Sequence, residues 1–390
     1  RRLAAGIHLR ADRLGFSAID AELGDGTRVA DGSVEVRFDP VQVFIRGQVT
    51  GDPAFAEAFF DSPVGRDIYR SIWRELEWSP GTPPKVELYE LEIGNRPGQG
   101  GWWVSMASHL EAEQASYRGI QADWLQVDVH LDLPTALSVD NIVVARGPST
   151  MEGQVRLNFH GAASCGFQLR GTGCDPHRVL RAIDPGFGEL LGDVQLAPDS
   201  DMEWEGHFFL DTLAPRLRLS GRIRTPVCTY RQFEFHDLGL DWRIQDSMVS
   251  WNHASGTLHG GDVTSSGYFE TATRAGLLVL TADRVDMADL LCSLGSSIGE
   301  GDALRGKVSG HCRVEMLHGW PGARLQLTGN GKLNIADGNL WTVPILAQLG
   351  KLLDITFLSR LSGGRLSGLG RISALDADLE FKGDRVAVPR

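Results

Sequence analysis

The chain has 390 residues, 42% of them hydrophobic, with 47 glycines and a formal net charge of −12. That length holds two or three ordinary domains or one elongated one, with enough apolar residues for a sizeable core. No cluster of Lys and Arg interrupts the acidic balance, which excludes a basic nucleic-acid-binding face and adsorption to an anionic membrane by charge. Contact with lipid has to be apolar.

Glycine is about 12% of the chain against roughly 7% in average proteins. It follows no collagen period and forms no low-complexity block. The glycines separate short stretches in which apolar and polar residues alternate, as expected for many strands joined by tight turns. Strand-like sequence begins at once, with Gly6, Ile7, His8 and Leu9. Ser33 to Phe38 then sets Val34, Val36 and Phe38 on one face, with Glu35 and Arg37 on the other. A short helix with Phe55, Phe59 and Phe60 is expected near 53–60, after Asp52. Ser62-Pro63 combines an N-cap serine with proline at the first helical position. Ile68, Tyr69, Ile72, Trp73 and Leu76 follow on one helical face, which predicts a helix over 63–77 that stops at Ser79-Pro80-Gly81.

Alternation resumes at Gly153 to His160 with Val155, Leu157 and Phe159. After Asp175 comes an expected helix near 176–184, carrying Val179, Leu180 and Ile183. Arg216 to Arg224 presents Leu217, Leu219 and Ile223, interrupted by Gly221, and Gly239 to Ile244 presents Leu240, Trp242 and Ile244. Asp286 precedes an expected helix near 286–295 with Leu290, Leu291 and Leu294. Two further strand patterns follow, Arg324 to Thr328 with Leu325 and Leu327, and Lys332 to Ile335 with Leu333 and Ile335. Pro344 leads a helix expected near 344–354, and Ala377 to Phe381 closes the series with Leu379 and Phe381. Strands that bury one face and wet the other are the habit of antiparallel sheets.

Asp52, Asp175 and Asp286 each follow a strand hairpin and cap a short apolar helix, a weak internal repeat. The expected organisation is therefore modular: a first β module over 1–80, a second over 81–195, and a carboxyl-terminal region over 196–390. The chain opens at Arg1 without an initiator methionine or signal peptide, as a fragment of a longer protein would. The most apolar stretch, Val343 to Leu358, is broken by Gln348, Gly350, Lys351 and Asp354, so a membrane anchor is expected outside this sequence.

Signals for chemistry are sparse, and neither an enzyme nor a cofactor is expected. The five cysteines, Cys165, Cys174, Cys228, Cys292 and Cys312, form no CxxC and no zinc-site spacing; they read as buried thiols. Glu203/Glu205 and Asp376/Asp378 put carboxylates about 7 Å apart on a strand face, within reach of glycosidase geometry, but any solvent face has such pairs. His253 and His259 flank a turn with no third ligand at a matching spacing, so no metal is expected. Ser309 lacks the G-x-S-x-G context, and no phosphate loop or dinucleotide fingerprint occurs. Trp124, Trp204 and Trp320 are scattered singly, as core anchors are.

Residues Gly329 to Leu346, GNGKLNIADGNLWTVPIL, join a glycine-flanked strand to Asp337-Gly338 and a proline-led apolar segment from Pro344. Phe235 to Phe269 reads as strand, turn, strand, a Gly260-Gly261 step and a further strand; Tyr69 to Leu88, with IWRELEWSPG, reads as a helix, a Pro-Gly junction and a new strand. This pattern resembles the carboxyl-terminal part of the AsmA-like family, most closely over 150–390 and more loosely over 1–150. The resemblance implies a β-groove related to bridge-like lipid transfer proteins. It also implies a periplasmic location, inner-membrane anchorage through a missing amino-terminal helix, possible envelope protein partners, and a role in moving phospholipid that supports outer-membrane biogenesis.

The expected fold class is mainly β: an elongated, curved antiparallel sheet with a few short capping helices. An apolar sheet face of this extent has to be covered, and short helices cannot carpet it. Either the sheet folds on itself as a filled sandwich, or it curls into a trough lined by the alternating residues above and occupied by acyl chains. The second is the expected arrangement. The alternative is a β-sandwich adhesin, or a carbohydrate-binding or structural envelope protein, without lipid transport.

Overall fold

The computed structural model describes residues 2–22, 26–51, 75–79, 81–95, 102–160, 162–183, 194–209, 217–293, 306–318, 325–337, 374–383 and 385–387. It is mainly β, with antiparallel strands paired to their chain neighbours and two short helices among the described residues. The expected fold class is thus the observed one. Two compact units divide the chain: Arg1–Leu190 with Asp201–Leu217, and Leu191–Ser200 with Arg218–Arg390.

In the first unit the strands are β1 (Arg2–Leu9), β2 (Arg13–Glu22), β3 (Arg28–Phe38), β4 (Val41–Thr50), β5 (Leu76–Trp78), β6 (Lys85–Asn95), β7 (Trp102–Tyr117), β8 (Ile120–Leu133), β9 (Ala136–Arg146), β10 (Ser149–Asn158) and β11 (Ser164–Cys174). Helix α1 (Pro176–Ile183) follows. The chain then supplies β12 (Val194–Leu196) to the second unit and β13 (Ser200–Phe209) to the first, where it pairs with β11. The ladder runs β1–β2–β3–β4–β6–β7–β8–β9–β10–β11–β13, with β5 on the end of β7. At about 4.8 Å per strand it extends roughly 50 Å and stays open, since β1 pairs with β2 alone among the described residues.

The second unit contains β14 (Leu217–Tyr230), β15 (Phe233–Gln245), β16 (Met248–Leu258), β17 (Gly261–Glu270), β18 (Ala275–Asp286), helix α2 (Met287–Ser293), β19 (Lys307–His318), β20 (Leu325–Ala336), β21 (Ala374–Gly383) and β22 (Arg385–Ala387). They pair in chain order, with β12 along β14. Residues with positive φ make the tight turns, for example Arg118-Gly119 and His259-Gly260. Such residues match the right-handed twist of the strands they join.

The strands bend at bulges, and these fall largely on residues other than glycine. Ala18, Asp31, Asp237 and Arg284 take φ between 48° and 55° where the registers of β2, β3, β15 and β18 slip. Glycine serves close approach instead. A Cβ on Gly267 would collide with the Leu277 carbonyl oxygen and come 2.8 Å from the Trp251 ring, so the bare backbone is what lets the indole approach. Gly329 and Gly331 sit inside one continuous strand, β20, which joins the two patterns read separately from sequence.

Asp175 and Asp286 cap α1 and α2. Asp175 Oδ1 accepts from the amides of His177 (3.0 Å) and Arg178 (3.3 Å). Asp286 Oδ1 accepts from Ala288 (3.0 Å) and Asp289 (3.3 Å). The repeat extends further. In each copy a residue just ahead of the cap packs on the hairpin turn two strands back: Gly173, two before Asp175, on Ser149, and Val285, one before Asp286, on Gly261. Gly51, just before Asp52, meets Thr27 in the same way. Asp52 and the helices expected near 53–60 and 344–354 lie outside the described residues, as does the 63–77 helix up to residue 74. The tail of that stretch, Leu76–Trp78, is strand β5, because pairing with Ala115, Ser116 and Tyr117 outcompetes a last helical turn. Asp286→Ala is expected to weaken α2 by about 1 kcal/mol and to speed amide exchange in the helix about fivefold. Asp286→Asn, which keeps the acceptor, should exchange like the parent.

Candidate functional site: half-buried apolar rows

Side chains paired across an antiparallel ladder share a face, so the registers give the rows. In β3, Val34 and Val36 lie opposite Phe16 and Leu14 on one side and Ile45 and Val43 on the other. Ile45 and Val43 continue to Leu91 and Ile93, then to Met106 and Val104, then to Leu131 and Leu133. Leu131 lies opposite Leu137, which lies opposite Leu157, itself opposite Cys165. Val155 sits between Val139 and Phe167. The candidates Val34, Val36, Val155 and Leu157 therefore belong to one apolar face crossing β2 to β11. Phe38 ends its strand opposite Val41 and is 46% exposed. Phe159 lies one residue beyond β10, with its amide bonded to the Thr135 carbonyl at 2.8 Å.

The second unit repeats the arrangement. Leu219 and Ile223 lie opposite Ile244 and Leu240, while Gly221 faces Trp242. One row runs Trp242–Trp251–Gly267–Leu278–Val314–Gly329–Phe381. Leu327 pairs with Met316, Leu333 with Gly310 and Ala377, Ile335 with Val308 and Leu375, and Leu379 with Gly331. Leu217 opens β14, and Leu325 pairs with His318.

Many of these side chains are half-buried rather than buried, Val34, Val36, Val155, Leu157, Leu240, Trp242 and Phe381 among them; Leu91, Leu131, Cys165, Leu219, Ile223, Val314 and Ile335 are buried. β10 shows the pattern at its simplest: Met151, Gly153, Val155 and Leu157 are half-buried, while Thr150, Glu152, Gln154 and Arg156 are exposed. A filled sandwich leaves its inner face fully buried. The best-packed cluster is local, where Leu76, Leu110, Ala112 and Ala115 meet under β5.

Sequence reading missed Leu91, Ile93, Met106, Leu131 and Trp251. Leu125, Val127, Val129, Leu131 and Leu133 alternate without a break and were legible. In β6 the register shift between Leu88 and Glu90 moves the apolar set to the other parity, so periodicity alone loses it.

The opposite faces are polar and laced with ion pairs, among them Arg46–Glu90 at 2.8 Å and Arg222–Asp241 at 2.6 Å. Glu203, Glu205, Asp376 and Asp378 are exposed, as solvent-face carboxylates are. His253 is exposed, and His259 Nε2 lies 2.9 Å from Ser293 Oγ, tying the β16–β17 turn to α2. All five cysteines are free thiols; burial pushes Cys165, Cys174, Cys228 and Cys312 above the ordinary thiol range.

One polar cluster is partly buried. His109 Nδ1 lies 2.6 Å from Asp128 Oδ1, and Asn141 Nδ2 donates to Asp128 Oδ2 at 2.6 Å. The hydrogen bond to Asp128, with a weaker one to Glu111, raises the His109 pKa; the bonds from Asn141 and then His109 lower that of Asp128. A raised histidine stabilises the fold fully below its unfolded value of about 6.5, and that contribution is lost as pH rises through the higher folded value. A depressed aspartate stabilises it above about 3.9, and that contribution is lost as pH falls through the lower folded value. The stability difference between the parent and His109→Gln should therefore be greatest near pH 5–6 and shrink towards pH 9. Urea midpoints across that range check it; a flat difference contradicts the pairing.

No described helix is long and apolar enough to cross a membrane. Comparison with known proteins finds no matching family model, no matching curated protein and no matching solved structure.

Proposed function

We propose that the apolar rows bind phospholipid acyl chains and that the protein conducts them between membranes of a cell envelope, as the resemblance to the AsmA-like family implies. The observation that carries this reading is the state of the rows: in register over many strands, with buried members interspersed among half-buried ones. Acyl chains suit such a surface because they need no hydrogen bonds. Each buried CH₂ contributes roughly 0.8 kcal/mol, so two ~16-carbon chains gain on the order of 25 kcal/mol against water. A bilayer gives nearly the same gain, so transfer along the rows is close to neutral in energy and lipid is free to move. The periplasm, membrane contact through segments outside this sequence, support of outer-membrane biogenesis, and envelope protein partners belong to the same proposal. The reading assigns no catalytic residue and no cofactor.

The test is native mass spectrometry of protein purified in mild detergent, with extraction and quantification of bound lipid. Near-stoichiometric phospholipid is expected. Protein that is lipid-free after expression, and that takes up none from phospholipid vesicles, is an adhesin or structural element instead.

A further inference from the structure

The apolar face of the first unit stays continuous across β9 because that strand carries one extra residue. Leu137 and Val139 precede Asn141, and Ile142 and Val144 follow it, with the opposite parity. A regular strand would turn one of these pairs outward. Here both face the apolar side. Leu137 and Val139 lie opposite Leu131 and Val129 of β8, while Val144 lies opposite Leu125 of the same unbroken β8 series. On β10 the partners are Leu157 and Val155 for the first pair, and Gly153 and Met151 for Ile142 and Val144. Both registers slip at this point, between Gln126 and Asp128 on β8 and between Gly153 and Val155 on β10, and Asn141 takes a φ of 48°. Asparagine tolerates that left-handed backbone better than most residues.

On the polar face a chain of side chains ends on this bulge. Asn141 Nδ2 donates to Asp128 Oδ2 at 2.6 Å, and Asp128 Oδ1 lies 2.6 Å from His109 Nδ1. His109 Nε2 lies 3.4 Å from Glu111 Oε1. The side chains of His109 and Asp128 are 16% and 23% exposed, so water screens these bonds little. Glu87 and Tyr89 of β6 face the same cluster, with Lys85 opposite Glu111. His130 of β8 adds to it, as does Asp140 of β9, opposite Asp128, which accepts from Ser138 Oγ at 2.9 Å. The surroundings are mainly acidic, which favours the imidazolium form of His109.

We propose that His109, Asp128 and Asn141 form a proton-sensitive latch on the β9 bulge, which keeps the apolar face continuous from β8 to β10 and so sets how firmly it holds an acyl chain. The proposal rests on the acyl-chain reading above. In the imidazolium form both ring nitrogens donate, to Asp128 and to Glu111, and the Asp128 carboxylate is fixed in place for Asn141. Loss of one proton as pH rises leaves a lone pair of Nε2 facing Glu111 and removes the charge assistance from the bond to Asp128. Asp128 then holds Asn141 less firmly, the bulge opens more often, and the apolar pairs on either side of it fall out of line. Lipid is held more tightly on the acid side of the transition.

The experiment measures uptake of fluorescently labelled phosphatidylcholine from phosphatidylcholine vesicles by the whole chain between pH 5.5 and 9. Hydrogen-exchange protection of the amides of residues 140–143, corrected for intrinsic rates, is the second readout. Affinity for the labelled lipid and protection should fall together at least threefold, with a midpoint above the ordinary histidine value of about 6.5. His109→Gln should flatten both profiles. Asn141→Gly, which keeps the left-handed backbone but loses the amide, should flatten them as well. His253→Gln, which removes an exposed histidine of the second unit, should titrate like the parent. Lipid uptake whose pH profile is the same in the parent and His109→Gln overturns the latch and leaves the acyl-chain reading standing. A parent that takes up no lipid at any pH overturns both.

Discussion

Val155→Asp is expected to strip bound phospholipid from the protein at least tenfold while leaving its β-rich circular dichroism intact. Val155 lies mid-row between Val139 and Phe167 and is half-buried. A carboxylate there either strands its charge under an acyl chain, at a cost of several kcal/mol, or takes up a proton and remains a poor apolar surface. The half-exposed position lets the empty protein hydrate the new group, so the penalty falls on the lipid-bound state. Gln154→Asp is the control. Gln154 is exposed on the opposite face, where its Nε2 donates to Gln168 Oε1 at 2.6 Å, and its variant should carry lipid like the parent. Leu240→Asp, opposite Ile223 in the second unit, should behave as Val155→Asp does. Equal lipid content in Val155→Asp and Gln154→Asp would falsify the assignment of this face.

The second large effect separates packed core from open row. Leu110 is 2% exposed and packs with Leu76, Ala112 and Ala115, flanked by Val86, Leu125 and Val127. Leu110→Ala removes methyl groups from a site that cannot collapse and should cost about 3 kcal/mol. Leu157 occupies a row but is half-buried, between Leu137 and Cys165. In lipid-free protein Leu157→Ala leaves a dent that water fills and should cost about 1 kcal/mol. Urea unfolding of delipidated protein measures both. Similar losses for the two variants would mean that the row is as tightly packed as the core, and the sheet would then behave as a filled sandwich.

The face of a strand was legible from sequence wherever alternation ran unbroken, as in Val34–Val36 and Val155–Leu157, because the strand period of two needs no partner to be recognised. The helix caps were legible for a similar reason: Asp175 and Asp286 act within three residues of themselves. Alternation failed at bulges. The shift beyond Leu88 in β6 and the positive φ of Asp237 in β15 each exchange inward and outward residues, and nothing local marks them. The end of the expected 63–77 helix failed differently. Leu76 satisfies a helical face, but its backbone is claimed by β7, forty-one residues away in the chain at Tyr117.

By itself the amino-acid sequence determined that the chain is a succession of one-sided antiparallel strands and that aspartates start short helices. Each of those follows from residues within a few positions of one another. The tertiary structure alone decided which strands stand side by side, that Trp242, Trp251 and Leu278 fall in one row, and that the row stays half-open. Register is a relation between distant segments, set by which backbone donors and acceptors find one another, and no local pattern encodes it.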